Sequence, residues 1–437
     1  MWRCWCRGTW GQGPFRSKNC YTCNGIANTD KYVTNHYRDI ANIKKILISF
    51  LFLFVVFVPI KTIARYEPIC VASASEEEFE EILDDQLDNL DTNEIDKIIN
   101  DLDGQTKDIF GEETFMEKIK KILSGDLGED SSTILNYILN LLFDDLLAFL
   151  PLISLIISIA ILGSIVQGLK AKTHSSSVSN IINFVVYGLI ITIIFSVFGK
   201  LISMAVGVIG SIQKQMNAIF PILLTLLTSV GGAVSVGVYQ PAMAVLSTVV
   251  INIFKSVLFP IFIFSSVLIV VSNLSNSIKL DKMVGFLNSV FKWLVGIVFS
   301  VFLGFAAFKG LTAGSIDGLS IKTAKFTFKS YIPIVGGYMS DGVFLMLAGC
   351  NLIKNAVGFG GLVLMFASII SPIISIIVFM LCLKFVAAVV EPLGNGKLAS
   401  LISGLAKNLQ MLVAMVAAVS FMYVILVGLV MCSANIV

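Results

Sequence analysis

The chain has 437 residues, of which 56% are hydrophobic and 14% charged, with a formal net charge of +2. A soluble domain carries about a quarter charged residues, and a mean hydropathy of +0.88 excludes the soluble globular class and places the chain among membrane proteins. The near-zero net charge conceals an asymmetry: 20 of the 29 acids lie between Glu76 and Asp130, against five lysines, while only six acids follow Asp130.

Residues 1–43 form a lead unlike the rest. Trp2, Trp5 and Trp10 crowd its start, and Cys4, Cys6, Cys20 and Cys23 form two cysteine pairs. The first spacing is too short for a zinc knuckle, so no metal site is assigned, and the lead is read as preceding the true translation start or as unstructured. Lys44 and Lys45 then precede the apolar run from Ile46 to Ile60, the charged and apolar regions of a signal peptide or anchor over residues 44–74. Small residues suited to cleavage follow at Thr62-Ile63-Ala64 and Ala72-Ser73-Ala74.

Residues 75–133 are read as an acidic, amphipathic-helical, extracytoplasmic region. Apolar residues recur at helical spacing as Phe79, Ile82, Leu83, Leu87 and Leu90, as Ile95, Ile98, Ile99 and Leu102, and as Phe115, Ile119, Ile122 and Leu123. Asp91 with Glu94, and Thr114 with Glu117, carry the spacing of capping boxes. The acids follow helix faces and lack the order of a calcium loop. The region is expected to be a solvated spacer or a docking surface.

Residues 134–437 are read as a polytopic transmembrane domain. Bilayer spans need about 20 apolar residues. They are expected at 146–169, 181–198, 220–236, 242–271, 284–308, 361–390 and 409–431, with Lys200 and Lys214 bounding an amphipathic piece between the second and third. Seven spans put the C-terminus inside, a parity that changes if 242–271 is two spans or the semi-apolar, glycine-rich stretch 331–352 is a full one; the lysines of 309–329 place that loop in the cytoplasm. The fold class is therefore all-α, an integral membrane protein of about seven transmembrane helices.

The sequence Val-Gly-Gly-x-x-Ser-x-Gly-Val occurs twice, from Val230 and from Val335, each copy preceded by a proline, Pro221 and Pro333. Paired glycine- and proline-broken segments signal discontinuous membrane helices, and in the seven-span topology the copies are inverted; close helix packing through small residues is the plainer reading. Asp341 stands in an otherwise uncharged stretch, where a carboxylate either faces water or is paired. Asp341, Ser340, Gly336, Gly337, Pro333, Gly231 and Gly232 are thus the gate or pathway candidates; the alternative for Asp341 is an interfacial helix cap. Lys322, Lys325 and Lys329 are candidates for partner contact. No phosphate-binding loop is present, and two histidines, His36 and His174, leave no HExxH motif. No catalytic residue, metal site or cofactor is assigned, and the chain is expected not to be an enzyme.

The string Lys322-Thr323-Ala324-Lys325-Phe326, followed by Ile332-Pro333-Ile334-Val335-Gly336-Gly337 and Tyr338-Met339-Ser340-Asp341, resembles the signature of the stage III sporulation protein AE family, as does the order of parts. The resemblance covers about residues 134–437; residues 1–43 depart from it. It implies a multi-pass protein of the mother-cell membrane around the forespore. It further implies work with other proteins of one sporulation operon, among them a cytoplasmic ATPase and ring-forming membrane proteins, and with a forespore-side membrane protein. Together these would form a secretion-like channel needed for forespore development and late forespore gene expression, with no nucleic-acid partner. The alternatives are a stand-alone secondary transporter and a non-conducting membrane scaffold.

Overall fold

In the computed structural model the described residues are 83–87, 90, 92–100, 114–124, 131–170, 176–274, 280–331, 336–394 and 396–433. For 124, 131–135, 167–170, 176–180, 183, 306–322, 324–331 and 336–344 the description is of the backbone. The lead, the signal segment, Asp91 and Pro333 lie outside the described residues. Those residues are helical, with no strand among them.

The acidic region begins with a helical turn at 83–87, then α1 (Asn93–Asn100) and α2 (Phe115–Ser124). The Thr114/Glu117 capping box forms as its spacing predicts: the Thr114 amide donates to Glu117 Oε2 (2.8 Å) and the Glu117 amide to Thr114 Oγ1 (3.3 Å). Asp96 of α1 also accepts the Phe115 amide at 2.9 Å, so one carboxylate caps α2 and ties the two helices. Lys120 pairs with Asp84 at 2.9 Å, a surface contact worth roughly 0–1 kcal/mol. Leu87, Ile95, Ile99, Phe115 and Ile119 are buried, while Asp84, Glu94, Glu117 and Lys120 are exposed. The apolar faces are used against the rest of the chain, leaving a charged outer surface.

The membrane domain follows as α3 (Ser131–Lys170), α4 (Ser176–Ser229), α5 (Ala233–Leu274), α6 (Asp281–Tyr331), α7 (Gly336–Val390), α8 (Gly396–Asn408) and α9 (Gln410–Cys432). Helices α8 and α9 run on almost continuously, so six helical units among the described residues are long and apolar enough to cross a membrane. Their lipid-facing sides carry exposed apolar residues such as Leu147, Leu162, Phe184, Phe264, Phe286 and Phe385.

Six units replace the expected seven. The stretches 181–198 and 220–236 belong to one 54-residue helix, α4. Lys200 and Lys214 do not end it; both are exposed along its side, where long amphipathic side chains reach water. Lys255 likewise sits inside α5, in a π-helical stretch. The even count changes the topology. Gly360 of α7 lies against Phe115 of α2, and Gly358 against Met431 of α9. Lys354 donates to the backbone carbonyl of Ser433. The acidic cap and the chain's last helical turn therefore share one end of the bundle, called here the cap end, rather than opposite sides.

The lysine-rich segment moves as well. Asn288 of α6 faces Ser265, and Phe299 stacks on Phe421 with centroids 5.5 Å apart. The helix continues in the same direction to Tyr331, so Lys322, Lys325 and Lys329 lie in its terminal turns toward the cap end, not across the membrane from the acids. Helix α7 has 55 residues, about 80 Å at 1.5 Å per residue, against a hydrocarbon core of about 30 Å. It therefore extends well beyond one bilayer.

Candidate functional site

The expected gate residues occupy helix ends rather than span interiors. Gly231 adopts φ +89°, a left-handed conformation that favours glycine. Its amide donates to the Thr228 carbonyl (2.9 Å) and that of Gly232 to Leu227 (2.8 Å), a C-terminal cap that closes α4. A Cβ on Gly232 would sit 2.8 Å from the Leu227 carbonyl oxygen. The first Val-Gly-Gly copy is thus a tight helix–helix turn. The second places Gly336 and Gly337 in the first turn of α7, with Ser340 and Asp341 one turn on, before the apolar span Leu345–Leu393. Both copies lie in connections at the cap end, so they are related in parallel and not inverted.

The polar chemistry of the bundle interior lies elsewhere, along α7. Lys354, Gly361, Ser368, Ser375 and Cys382 recur every seven residues and are all buried. Seven residues are nearly two helical turns, so such a row forms a slowly drifting stripe on one face, each step about 10 Å along the axis. The stripe meets a different helix at almost every step. Lys354, fully buried, donates to the Ser433 carbonyl, an arrangement that sets a cation at a helix C-terminus. Ser433 Oγ is 2.7 Å from the hydroxyl of buried Tyr239 on α5. The Gly361 carbonyl accepts the Tyr423 hydroxyl of α9 at 3.3 Å. Ser368 Oγ accepts from Gln215 Nε2 of α4 at 2.7 Å and donates to the Leu364 carbonyl. Ser375 donates to Asp145 Oδ2 of α3 at 2.7 Å.

Gln215 is 0% exposed and its Oε1 has no hydrogen-bond partner. An unsatisfied buried amide group costs about 1–3 kcal/mol. The Oδ1 atoms of Asn351 and Asn355, flanking Lys354 on α7, are also buried without a donor.

Just past Ser375 the stripe meets aromatic rings. Phe379, fully buried, lies 5.1 Å from Phe149 of α3 and 6.2 Å from Phe198 of α4, centroid to centroid. Phe198 stacks in turn on Phe262 of α5 at 6.1 Å.

Two further networks brace the bundle. Gln213 donates to the Ser247 carbonyl (2.6 Å) and accepts from Lys255 Nζ (3.2 Å), beside the two π-helical stretches Val245–Val250 and Phe254–Leu258. Such stretches leave carbonyls offset from the α-helical ladder. Asn408, where α8 passes into α9, donates to the Phe262 carbonyl and to Ser266 Oγ (2.7 Å). Its own oxygen lies 3.1 Å from Ser265 Oγ.

Sequence reasoning selected none of these residues, although the seven-residue row is visible in the sequence. Serine, glycine and cysteine in an apolar run read as packing residues until their partners on other helices are known.

The model of the family described as stage III sporulation protein AE matches residues 114–434. Among curated proteins, the chain is similar to stage III sporulation protein AE of Bacillus subtilis (strain 168), 25% identical over 359 residues, covering 82% of this chain and 90% of that protein. No solved structure matches. The match begins at the capping threonine of α2, Thr114, and runs through the seam to the C-terminal turn, and the chain belongs to the stage III sporulation protein AE family.

Proposed function

We propose that this protein is a membrane subunit of a secretion-like channel joining mother cell and forespore, needed for forespore development and late forespore gene expression. Membership of a sporulation family supports a role in that process. The observation that carries the channel reading is the polar stripe of α7, which buries Lys354, Ser368 and Ser375 within the bundle and sets half-buried Asp145 of α3 against it. Polar groups at such depth are costly and mark substrate or ion paths.

In this reading the protein sits in the mother-cell membrane, with the acidic cap toward the space between the two membranes. The charged outer face of α1 and α2 and the lysine-bearing end of α6 are the surfaces for partner proteins of the same operon, including ring-forming membrane proteins, and for a forespore-side membrane protein. A cytoplasmic ATPase supplies the energy, since the chain has no phosphate-binding loop of its own. Asp341 and its neighbours then belong to the partner-facing end. The chain carries no catalytic role in this scheme.

The test is deletion of the gene in its host. The reading predicts forespores that complete engulfment, then shrink and lose late gene expression, with rescue by the intact gene. Normal resistant spores would contradict it. Solute uptake by the purified protein alone in liposomes would favour the stand-alone transporter.

A further inference from the structure

We propose that the α7 stripe is a hydrated polar row, closed below Ser375 by the phenylalanine cluster of Phe379, Phe149 and Phe198. The proposal deepens the channel reading by giving it a hydrated row within this chain, but the hydration itself can be tested without it.

The first argument is the open valence at Gln215. Its Nε2 is committed to Ser368 Oγ, and the Ser368 hydroxyl hydrogen to the Leu364 carbonyl. Exchanging the amide's oxygen and nitrogen would leave the NH₂ without an acceptor instead. No rotation within this pair satisfies both ends of a side chain that is 0% exposed. Oε1 therefore calls for a hydrogen-bond donor, and a buried water is the group that most often serves such an atom.

The second argument is the balance of donors and acceptors. Asn351 and Asn355 add two buried amide oxygens without donors near Lys354, and Asp145 adds a carboxylate opposite Ser375. The Lys354 ammonium is held at the carbonyl end of α9. Three buried amide oxygens thus lack a donor along this part of α7 and α4, and water can supply one to each. From Lys354 to Ser375 the polar positions cover roughly 30 Å of helix.

The third argument is the closure. Phe379 lies one turn beyond Ser375, fully buried between Phe149 and Phe198. An aromatic constriction gates a narrow path by excluding water. Cys382, 4% exposed, is the next member of the row on the far side of that constriction.

The test uses the full chain in native membranes and the small cationic thiol reagent 2-aminoethyl methanethiosulfonate. With Cys382 as the remaining membrane-domain cysteine or replaced by serine, Ser368→Cys and Ser375→Cys are compared with Ile376→Cys, which is fully buried and set about 100° around the helix from Ser375. The proposal expects both seam cysteines to react at least tenfold faster than Ile376→Cys. It expects Cys382 to stay unreactive while Phe379 is present and to react after Phe379→Ala, or after Phe149→Ala should the first variant fail to accumulate. Seam cysteines no faster than Ile376→Cys would overturn the hydrated row and leave a dry packing seam. Cys382 as reactive as Ser375→Cys in the presence of both phenylalanines would overturn the gate. Labelling reports hydration alone, whereas the deletion phenotype reports the channel role, so the two can fail separately.

Discussion

The ring of Phe115 on the acidic cap rests on the bare backbone of Gly360, where an added Cβ would lie 3.0 Å from its Cε2 atom. This contact fixes α2 to α7 and, with it, the end of the bundle that bears the cap. Gly360→Leu should therefore unseat α2. Phe115→Ala should act similarly by leaving a cavity, at a cost of about 3–5 kcal/mol for a fully buried phenylalanine. The expected readout is rapid proteolytic cleavage within residues 101–130, with the membrane domain still monodisperse in detergent.

Asp96 should matter beyond its charge. It accepts the Phe115 amide at 2.9 Å, and loss of such a cap costs about 1 kcal/mol. Asp96→Ala should lower the thermal midpoint of the cap, and Asp96→Asn, which keeps an acceptor oxygen, should recover most of the loss. Equal loss in both variants would assign the effect to charge instead.

The six-span topology predicts the sides reached by impermeant thiol reagents. A cysteine at Glu94 and the native, exposed Cys432 should be labelled from the same side. A cysteine at Lys397, beside the turn at Gly394 between α7 and α8, should be labelled from the other. Opposite sides for Glu94 and Cys432 would restore an odd number of spans.

Lys354→Met should loosen the chain's last turn. The Ser433 carbonyl loses its buried donor, and an unsatisfied buried carbonyl costs about 1–3 kcal/mol. Faster carboxypeptidase trimming past Ser433 is the expected readout, with little change at the cap.

How much of this was legible beforehand depended on the period of the pattern. Leu87, Ile95, Ile99, Phe115 and Ile119 were readable as one buried face because helical spacing repeats within ten residues, and the Thr114/Glu117 box because it is local. Lys200 and Lys214 suggest a break in the apolar pattern, whereas α4 runs through both. A charge on a lipid-distant or snorkelling side does not stop a helix; Gly231, with its left-handed backbone, does. The glycine repeat was visible, but its role as a turn follows from φ, which the sequence does not display. The α7 seam depends on Asp145, Gln215 and Tyr423 arriving from three other helices, at separations of 230, 153 and 62 residues. No local pattern carries that information.

The most direct test of the central claim is complementation of a deletion strain by the double variant Gln215→Leu, Ser368→Ala. Removing both polar partners in favour of apolar groups of similar size leaves stability nearly unchanged, so the protein should accumulate normally. The account predicts that these cells engulf forespores that then fall silent, because the polar row is interrupted. Full sporulation by the accumulated variant would contradict it, and would reduce the seam to a packing feature of the bundle.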